Sequence, residues 1–324
     1  RMVRTQLRPS ERPTLSLFVH IPWPGPDYWS ILPAKMRNTI LEGLLGADLL
    51  GFQTHGDVLN FIRTCQQYLS RVGAKYKLQR VWYRNHATHV RAFPISIDVQ
   101  SLQRVARSSE VAQLRAEIEK MIDGRKLFLR IERIEPSKNI VRGFQAYAEM
   151  LTLYPEYLEK VIFLAILVPS RMDLGEYQDY LQEVMAAVGQ INATYATGAW
   201  EPVRVLVGES YERAVAAMQC YDVLLVNSIA DGMNLVAKEG PVVNRRHGQL
   251  VLSERTGARE QLESAAIVIS PCDISATADA LHMALTMPKS KRRENAQELR
   301  ALVEKEDVFW WLCQQIETVE QLGL

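Results

Sequence analysis

The stretch Ile229-Ala-Asp-Gly-Met-Asn-Leu-Val-Ala-Lys-Glu-Gly240 decides how the larger part of the chain is interpreted. The preceding residues, 222–228, form an apolar run that predicts a buried parallel strand. The apolar second half of the quoted stretch predicts a helix. Between strand and helix lie small and polar residues: Asp231, Gly232 and Asn234. Free backbone N–H groups at such a turn attract phosphate, and the carboxylates of Asp231 and Glu239 can accept hydrogen bonds from hydroxyls. The alternative is an ordinary turn with a capping aspartate.

Strands and helices alternate regularly from residue 126 onwards. Apolar runs predict strands at residues 127–131, 161–168, 203–207, 223–226, 249–252 and 266–269. Periodic stretches predict helices at residues 137–153, 174–195 and 211–219, and further helices up to the C-terminus. This alternation is typical of βαβ units, so the fold class is α/β with a parallel sheet and helices on both faces.

The residues before this region form a separate part. Its predicted elements are a strand at 14–21, a helix within 32–50, a strand at 48–53 and a helix at 57–69. The proline-rich residues 22–26 predict a rigid loop without helix. We place the domain boundary near Asp98, followed by a polar helix over residues 99–123. The predicted domains are residues 1–98 and 99–306, with an aromatic helix at 307–324 that docks on the first domain.

Composition limits the functional classes. A chain of 324 residues predicts two domains, and a net charge of +1 gives no electrostatic reason for binding nucleic acid or a membrane. No apolar run reaches transmembrane length and no signal peptide is visible, so we expect a cytoplasmic protein. Three of the four scattered cysteines fall within apolar runs and are expected to be reduced core thiols. His86 and His89 lie three residues apart without further ligands nearby, so we expect no metal site.

Charged side chains follow several predicted strands. Arg133 and Lys138 flank the start of a helix after the first strand of the second domain, and Arg171 follows the next strand. Because the carboxyl ends of parallel strands share one edge, these cations and Asp231 are expected to converge there. Arginine as a planar fork and lysine as a point charge are suited to clamp a diphosphate. The alternative is that both cations merely form solvated ion pairs with neighbouring glutamates.

Those ion pairs would join the two cations to Glu132 and Glu135, which lie beside them in the sequence. In the first domain His20 likewise stands at the end of a strand, before the proline-rich loop. It is either a ligand contact or a residue that merely caps the strand. The convergence of cations, a carboxylate and a glycine turn favours a site for an anionic ligand.

Several of these stretches resemble the trehalose-6-phosphate synthases, in the order of that family, from about residue 15 to the end. They are His20-Ile-Pro-Trp-Pro, Leu41-Glu-Gly-Leu-Leu-Gly-Ala-Asp-Leu-Leu-Gly-Phe52, Arg133 with Lys138, Val168-Pro-Ser-Arg171, Asp231-Gly-Met-Asn-Leu-Val-Ala-Lys-Glu239, Leu252-Ser-Glu254 and Ala284-Leu-Thr-Met-Pro288. The resemblance implies a GT-B fold of two Rossmann-like domains, the first of them incomplete here. It also implies retaining transfer of glucose from a nucleotide sugar, UDP- or GDP-glucose, to glucose 6-phosphate, without metal or other cofactor.

The resemblance assigns the phosphate contacts. Arg133 and Lys138 would hold the donor diphosphate and stabilise the leaving nucleotide, which is the electrostatic contribution expected to dominate without a metal. Leu235 and Val236 would continue the glycine turn beside the phosphates. Arg171 would help to bind the phosphate of the acceptor.

The resemblance also assigns the sugar contacts. The transferred glucose would be held by Asp231 and by the backbone N–H groups of Gly232, Met233 and Asn234. Glu239 would accept from the ribose hydroxyls, and His20 would face the glucose. The acceptor would attack from the face that the leaving group departs, so no carboxylate nucleophile is required.

Three departures from the family leave alternatives open. The family has a long section before the strand that ends at His20. We expect this chain to lack that section and therefore to be inactive alone. Ile134-Glu-Pro-Ser137 replaces the family's Leu-Asp-Tyr before Ser or Thr, and Trp23-Pro-Gly-Pro-Asp-Tyr-Trp29 replaces Phe-Pro-Ser-Ser-Glu. The alternatives are a glucosylglycerol-phosphate synthase, a validoxylamine-type pseudo-glycosyltransferase, or a regulatory homologue that binds sugar nucleotide without transfer. Expected partners are a nucleotide-sugar donor and a sugar-phosphate acceptor, with a homo-oligomer left open.

Overall fold

The computed structural model describes residue 6 and residues 13–323, and the chain divides into two compact units. Unit 1 comprises the described residues up to Ile95 and from Phe309 onwards, and unit 2 comprises Ser96–Val308. The domain limits expected from the sequence, residues 98 and 306, lie close to this division and stay a prediction.

The secondary structure follows the alternation expected from the sequence. The strands are β1 Ser16–Phe18, β2 Leu49–Phe52, β3 Gly73–Lys75, β4 Arg80–Tyr83, β5 His86–Ala92, β6 Lys126–Arg133, β7 Val161–Val168, β8 Val203–Val207, β9 Val223–Val226, β10 Gln249–Ser253 and β11 Ile267–Ile269. The α-helices are α1 Ala34–Leu44, α2 His55–Tyr68, α3 Val99–Val105, α4 Ser109–Ile122, α5 Ile140–Leu153, α6 Gly175–Tyr195, α7 Tyr211–Met218, α8 Val236–Val243, α9 Arg259–Leu262, α10 Ile274–Thr286, α11 Lys289–Lys305 and α12 Val308–Leu322.

Unit 1 contains a mixed five-stranded sheet in the order β1-β2-β5-β4-β3. Strands β1, β2 and β5 are parallel, whereas β5, β4 and β3 run antiparallel. Arg84 and Asn85 join β4 to β5 and both have positive φ angles, of 47° and 61°, as a tight hairpin turn requires. The sequence did not predict this hairpin.

The core of unit 1 is aromatic. Trp23 is buried and stacks on Trp29 with a centroid distance of 4.3 Å, and its backbone N–H donates to Asp57 at 2.7 Å. The indole of Trp311, on α12, donates to the backbone oxygen of Phe93 at 3.0 Å. Both contacts fix loops around the short parallel strands.

Unit 2 contains a six-stranded, fully parallel sheet in the order β11-β10-β9-β6-β7-β8. Its central strands β6, β7, β9 and β10 are buried on both faces, with Phe128, Phe163 and Leu225 among the core residues. Continuous apolar strands of this kind require helices on both faces of the sheet. The parallel sheet and the α/β class predicted for this region are confirmed.

Four predicted elements differ from the structure. The first strand is shorter than residues 14–21, and a 3₁₀ helix, Pro26–Ile31, begins where only a loop was expected, because proline is accepted at the first helical position. The predicted helix 99–123 is two helices, since Ser108 caps a new one by accepting from the N–H of Val111. The predicted helix 137–153 begins only at Ile140.

The cysteine prediction holds for two of four residues. Cys65 and Cys220 are buried free thiols, whereas Cys272 and Cys313 are exposed, so the expectation of three core thiols was wrong. An apolar neighbourhood in sequence does not decide which face of a helix or turn a residue takes. The ring nitrogen Nε2 of His86 donates to the backbone oxygen of Ala47 at 2.9 Å. In the described part of the chain, no helix is long and apolar enough to cross a membrane.

Candidate functional site

The carboxyl ends of the central strands of unit 2 form one edge of the sheet. Strand β6 ends at Arg133, β7 at Val168, β9 at Val226 and β10 at Ser253. The four strands are neighbours in the order β10-β9-β6-β7. The sheet topology therefore brings the predicted residues of the second domain to one place.

Lys138 is positioned by a short 3₁₀ turn, Pro136–Lys138, and not by the helix that the sequence predicted. Asn139 follows with a φ of 57°, a left-handed conformation that asparagine tolerates. Its side-chain amide donates to the backbone oxygens of Asn227, at 3.0 Å, and Pro271, at 2.6 Å. These bonds tie the turn to the end of β9.

A fully buried arginine, Arg130, also fixes this turn through hydrogen bonds to its backbone. Arg130 in β6 donates to the backbone oxygens of Lys138 and Ile140, each at 3.1 Å, and to the side-chain oxygen of Asn227. Helix α5 leaves room for this guanidinium only because residue 143 is glycine, where an added Cβ would overlap Arg130 Nη1. The sequence analysis missed Arg130, although a charged residue inside an otherwise apolar strand is a usable signal.

Lys138 lies between two carboxylates. Its Nζ is 2.5 Å from Asp231 Oδ2 and 3.6 Å from Glu132 Oε2, and the lysine side chain is only 10% exposed. Burial alone would lower the pKa of Lys138, but the charges of Glu132 and Asp231 more than offset it and raise that pKa. The lysine is therefore charged and fixed in place at neutral pH.

Asp231 accepts three hydrogen bonds on a single oxygen. Lys138 Nζ, Asn234 Nδ2 at 3.1 Å and Ser228 Oγ at 3.3 Å all donate to Oδ2. Among the described residues nothing donates to Oδ1, so this oxygen can accept from a ligand hydroxyl. Asp231 does not cap helix α8. The side chain of Asn234 does so, because it accepts from the N–H of Ala237.

The turn after Asp231 leaves a row of backbone donors. The N–H groups of residues 232–235 make no hydrogen bond within the described residues. Asn234 has a φ of 68°, and Gly232, Met233 and Asn234 are buried. Helix α8 begins directly after the turn, so its positive end points to the same place. The geometry suits an anion or a cluster of sugar hydroxyls.

Gly257, another residue that the sequence analysis missed, supports this turn. Its N–H donates to the backbone oxygen of Asp231 at 3.1 Å, and Asp231 in turn donates to the backbone oxygen of Arg255 at 3.2 Å. A Cβ at position 257 would overlap the carbonyl oxygen of Gly232. Only glycine lets the two backbones approach this closely.

Arg133 lies at the same edge with its own partner. Its Nη1 is 2.7 Å from Glu135 Oε1, and the arginine side chain is 56% exposed. Ser170, after β7, donates to the same carboxylate oxygen at 3.0 Å. Both ion pairs of the alternative interpretation, Arg133 with Glu135 and Lys138 with Glu132, are thus present alongside the predicted convergence.

Arg171 is exposed after β7, in a left-handed conformation with a φ of 48°. Its Nη1 donates to the hydroxyl of Tyr177 at 3.2 Å. Within the described residues no hydrogen bond or ion pair joins it to Lys138 or Asp231. Its role at an acceptor phosphate stays a prediction.

Glu239 lies in the first turn of α8 and is half-buried. The hydroxyl of Tyr211 donates to its Oε1 at 3.2 Å. Burial raises the pKa of Glu239 to about 7, although the bond from Tyr211 lowers it. Leu235 is exposed and Val236 half-buried between Asp231 and Glu239, so both border the turn.

His20 belongs to unit 1 and is exposed just beyond β1. Its ring packs edge-on against Phe18, 4.7 Å between centroids, and Phe18 in turn packs against Trp311 at 5.4 Å. An exposed ring held by an aromatic neighbour is available to a ligand. Its predicted contact with the glucose stays a prediction. The described residues include no group of three or more His, Cys, Asp or Glu side chains that could hold a metal ion.

Comparison with known proteins identifies one family and relatives within it. The profile of glycosyltransferase family 20 matches residues 1–321. A UDP-forming alpha,alpha-trehalose-phosphate synthase of Schizosaccharomyces pombe is 34% identical over 299 residues, covering 92% of this chain and 57% of that protein. The chain thus spans less than two thirds of the length of this relative.

Solved structures agree with the family match. One from E. coli, described as trehalose-6-phosphate bound with UDP-2-fluoro glucose, is 31% identical with a TM-score of 0.87, and the match covers 95% of this chain and 68% of that one. A UDP-forming alpha,alpha-trehalose-phosphate synthase from Burkholderia xenovorans in complex with glucose-6-phosphate is 28% identical with a TM-score of 0.86, covering 94% and 68%.

These matches confirm the resemblance that the motifs indicated and the GT-B fold class. The family profile covers nearly all of the chain, including the Asp231 turn and the Arg133–Lys138 segment whose geometry is described above. The chain belongs to glycosyltransferase family 20.

Proposed function

We propose that the protein transfers glucose from a nucleotide sugar to glucose 6-phosphate, and that unit 2 holds the nucleotide-sugar donor. The observation that carries the proposal is the meeting of Lys138 and Asp231 beside the unbonded N–H groups of residues 232–235. A cation, a carboxylate oxygen and free backbone donors are what a sugar linked to a diphosphate needs. The relatives named above, a UDP-forming synthase and a structure with UDP-2-fluoro glucose, support UDP-glucose as the donor, with GDP-glucose as the alternative.

Each residue has a defined role in this proposal. Lys138 and Arg133 bind the diphosphate and stabilise the negative charge that grows on it as the glucose leaves. Asp231 Oδ1 and the N–H groups of Gly232, Met233 and Asn234 hold the glucose hydroxyls. Leu235 and Val236 border the phosphates, and Glu239 Oε2 accepts from the ribose.

Two further residues would act on the other reacting partners. His20 would face the glucose, and Arg171 would bind the acceptor phosphate. The acceptor hydroxyl would form its bond to the anomeric carbon on the face from which the phosphate departs, and its proton would pass to the departing phosphate oxygen. The reaction would retain the anomeric configuration and use the two cations of unit 2 in place of a metal.

Donor binding is tested by calorimetry with UDP. Hydrogen bonds to charged groups contribute about 1.5–3 kcal/mol each, so Arg133→Ala and Lys138→Ala should each weaken UDP binding by about 10- to 100-fold. Lys120→Ala, which removes an exposed lysine on α4, is the matched control and should bind UDP as the wild type does. Wild-type affinity in both site variants would exclude the clamp.

Transfer is tested on the full-length protein with UDP-glucose or GDP-glucose and a set of sugar and polyol phosphates. Release of nucleotide only with glucose 6-phosphate supports the synthase. Release with another phosphate supports a relative with a different acceptor. Proton NMR of the product checks retention, and activity in the presence of EDTA checks independence of metal.

A second candidate is a homologue that binds sugar nucleotide without transferring the sugar. The ion pair between Arg133 and Glu135, at 2.7 Å, favours it, because a carboxylate that neutralises this arginine reduces its effect on the leaving group. Glu135→Gln separates the two. Nucleotide release should rise in this variant if Glu135 merely competes with the donor, and stay absent despite tight UDP binding if the protein is catalytically silent.

A further inference from the structure

A basic cavity lies at the amino-terminal edge of the six-stranded sheet, opposite the candidate donor site. Its volume is about 510 Å³, within the range of small-molecule sites. Six cationic side chains line it, namely Arg125, Lys126, Arg245, Arg246, Lys289 and Arg292, against one carboxylate, that of Asp222. Nothing in the donor-site proposal uses these residues.

The cavity is distinct from the candidate donor site. Lys126 begins β6 and Arg133 ends it. A rise of about 3.3 Å per residue separates the two ends of this strand by roughly 23 Å. A ligand at Lys126 therefore cannot be the diphosphate that Lys138 and Asp231 would hold.

Asp222 cannot balance the charge around it. Its side chain is only 3% exposed, and it lies 3.0 Å from Lys126 Nζ, 3.5 Å from Arg246 Nη1 and 3.5 Å from Arg292 Nη2. The N–H of Leu127 also donates to it, at 3.0 Å. Three cations thus share one carboxylate that already accepts a backbone bond.

The other cations of the lining add to this excess. Arg125 is engaged, since it pairs with Asp123 at 3.3 Å. Arg245 and Lys289 are exposed, and no carboxylate within the described residues pairs with either of them. Excess positive charge around a concave surface attracts anions and concentrates them there.

Arg292 has unused hydrogen-bonding capacity. Its side chain is 11% exposed, and its buried Nε and Nη2 have no hydrogen-bond partner among the described residues. Guanidinium N–H groups that are buried without an acceptor are costly, so such a group points to an acceptor supplied from elsewhere.

Helix α11 adds a further donor surface. Its 17 residues begin at Lys289, Pro288 at the N-cap position provides no side-chain cap, and the first turn contains no acidic residue. The positive end of this helix therefore faces the cavity through the two lining residues of its first turn, Lys289 and Arg292. An anion would satisfy both the helix end and the arginine.

We propose that this cavity binds a small molecule that carries two or more linked phosphate groups. The lining cations come from three separate segments: the start of β6, the loop after α8 and the first turn of α11. Asp222 already occupies the point where Lys126, Arg246 and Arg292 meet, so a ligand has to bind the cations around it, and two linked phosphate groups can pair with more of them than one. A neighbouring cavity of about 460 Å³ shares Arg245 and His247 and includes Pro241 and Val242, which gives room for an organic part.

The test is calorimetric titration with pyrophosphate in an Arg133→Ala background. This exposed arginine lies at the donor edge, so its removal weakens the donor site without touching the cavity, and the result does not depend on the donor-site proposal. Pyrophosphate should still bind, and at least about tenfold more tightly than inorganic phosphate. The double substitution Arg245→Ala/Lys289→Ala should weaken pyrophosphate binding by at least about tenfold.

The matched control is Lys291→Ala/Arg293→Ala, which removes the same charge from exposed positions of α11 outside the lining. It should change the affinity less than threefold. Equal losses in both double variants would overturn the proposal, because they would indicate attraction by net charge alone. Equal affinity for an oligoglutamate peptide or for a short DNA duplex would also overturn it, and would reassign the surface to unselective anion binding or to nucleic acid.

Discussion

The two edges of the six-stranded sheet both carry basic side chains, but they balance charge in opposite ways. At the carboxyl edge the two cations of the proposed clamp each have a carboxylate close by, with Lys138 2.5 Å from Asp231 and Arg133 2.7 Å from Glu135. At the amino edge three cations share Asp222. One edge is neutralised from within the protein, and the other has positive charge in excess.

This difference determines what a ligand must do at each edge. A diphosphate at the carboxyl edge has to compete with Glu135 for Arg133, so part of its interaction energy replaces an existing ion pair. An anion at the amino edge adds to cations such as Arg245 and Lys289, which pair with no carboxylate in the described part of the chain. The first arrangement favours a defined geometry, and the second favours capture of a small molecule with linked phosphate groups.

The largest effect on stability is expected when Lys138, the cation between two carboxylates at the carboxyl edge, is removed. Lys138→Ala leaves Glu132 and Asp231 facing each other with side chains that are 3% and 12% exposed. Breaking a buried pair by removing one partner costs about 3–5 kcal/mol. We expect the free energy of unfolding to fall by that amount in urea titrations, with faster amide exchange in β6 and β9.

Lys126→Ala is the matched variant at the amino edge. Its lysine is 54% exposed, and Asp222 keeps Arg246 and Arg292 nearby. The loss should stay below about 1 kcal/mol. Equal losses in the two lysine variants would show that the edges do not differ in the way described.

The next largest effect is expected when the carboxylate of Asp222, which lines the basic cavity, is removed. Asp222→Asn leaves Lys126, Arg246 and Arg292 without a negative partner and weakens the bond from the Leu127 N–H. Hydrogen bonds to charged groups are worth about 1.5–3 kcal/mol, which is the expected loss of stability in urea titrations.

Salt and a second aspartate provide the controls for this variant. Added sodium chloride should restore part of the stability of Asp222→Asn, because it screens the repulsion among the three cations. Asp123→Asn removes a carboxylate whose side chain is 78% exposed from the same edge, and its cost should be below about 1 kcal/mol. A loss that salt does not reduce would argue against charge repulsion as its cause.

The sequence predicts the parallel sheet well because its strands are buried on both faces. Runs such as residues 161–168 and 223–226 are apolar throughout, and the structure places strands over the same residues. The carboxyl ends of neighbouring strands lie at one edge of the sheet, so the strand order brings Arg133 and Lys138, after β6, close to Asp231, after β9. Topology alone was enough to predict that these residues converge.

The local geometry of the site could not be predicted in the same way. Asn139 interrupts the expected helix, and the partners that hold it, Asn227 and Pro271, are 88 and 132 residues away in the chain. The same holds for Gly257, which is required by a backbone contact with Gly232. Such contacts depend on which loops meet, and a single sequence carries no periodic signal for that.

The smallest expected effect concerns Glu239, a carboxylate at the carboxyl edge that accepts from the hydroxyl of Tyr211. Burial raises the pKa of Glu239 from 4.5 to about 7. Between these values the folded protein binds a proton that the unfolded chain has lost, so stability falls as pH rises from about 4.5 to about 7. Since Glu239 is half-buried and partly screened by solvent, we expect a loss of about 1–2 kcal/mol between pH 5 and 8.

Glu239→Gln should remove this contribution to the pH dependence, because glutamine does not titrate and can still accept from Tyr211. The measurement is the difference in unfolding free energy between pH 5 and pH 8, for the wild type and for the variant. Glu209→Gln, an exposed glutamate two residues before Tyr211, should keep the wild-type slope. If Glu239→Gln keeps it as well, the carboxylate of Glu239 is already ionised at pH 5, and burial does not raise its pKa as stated.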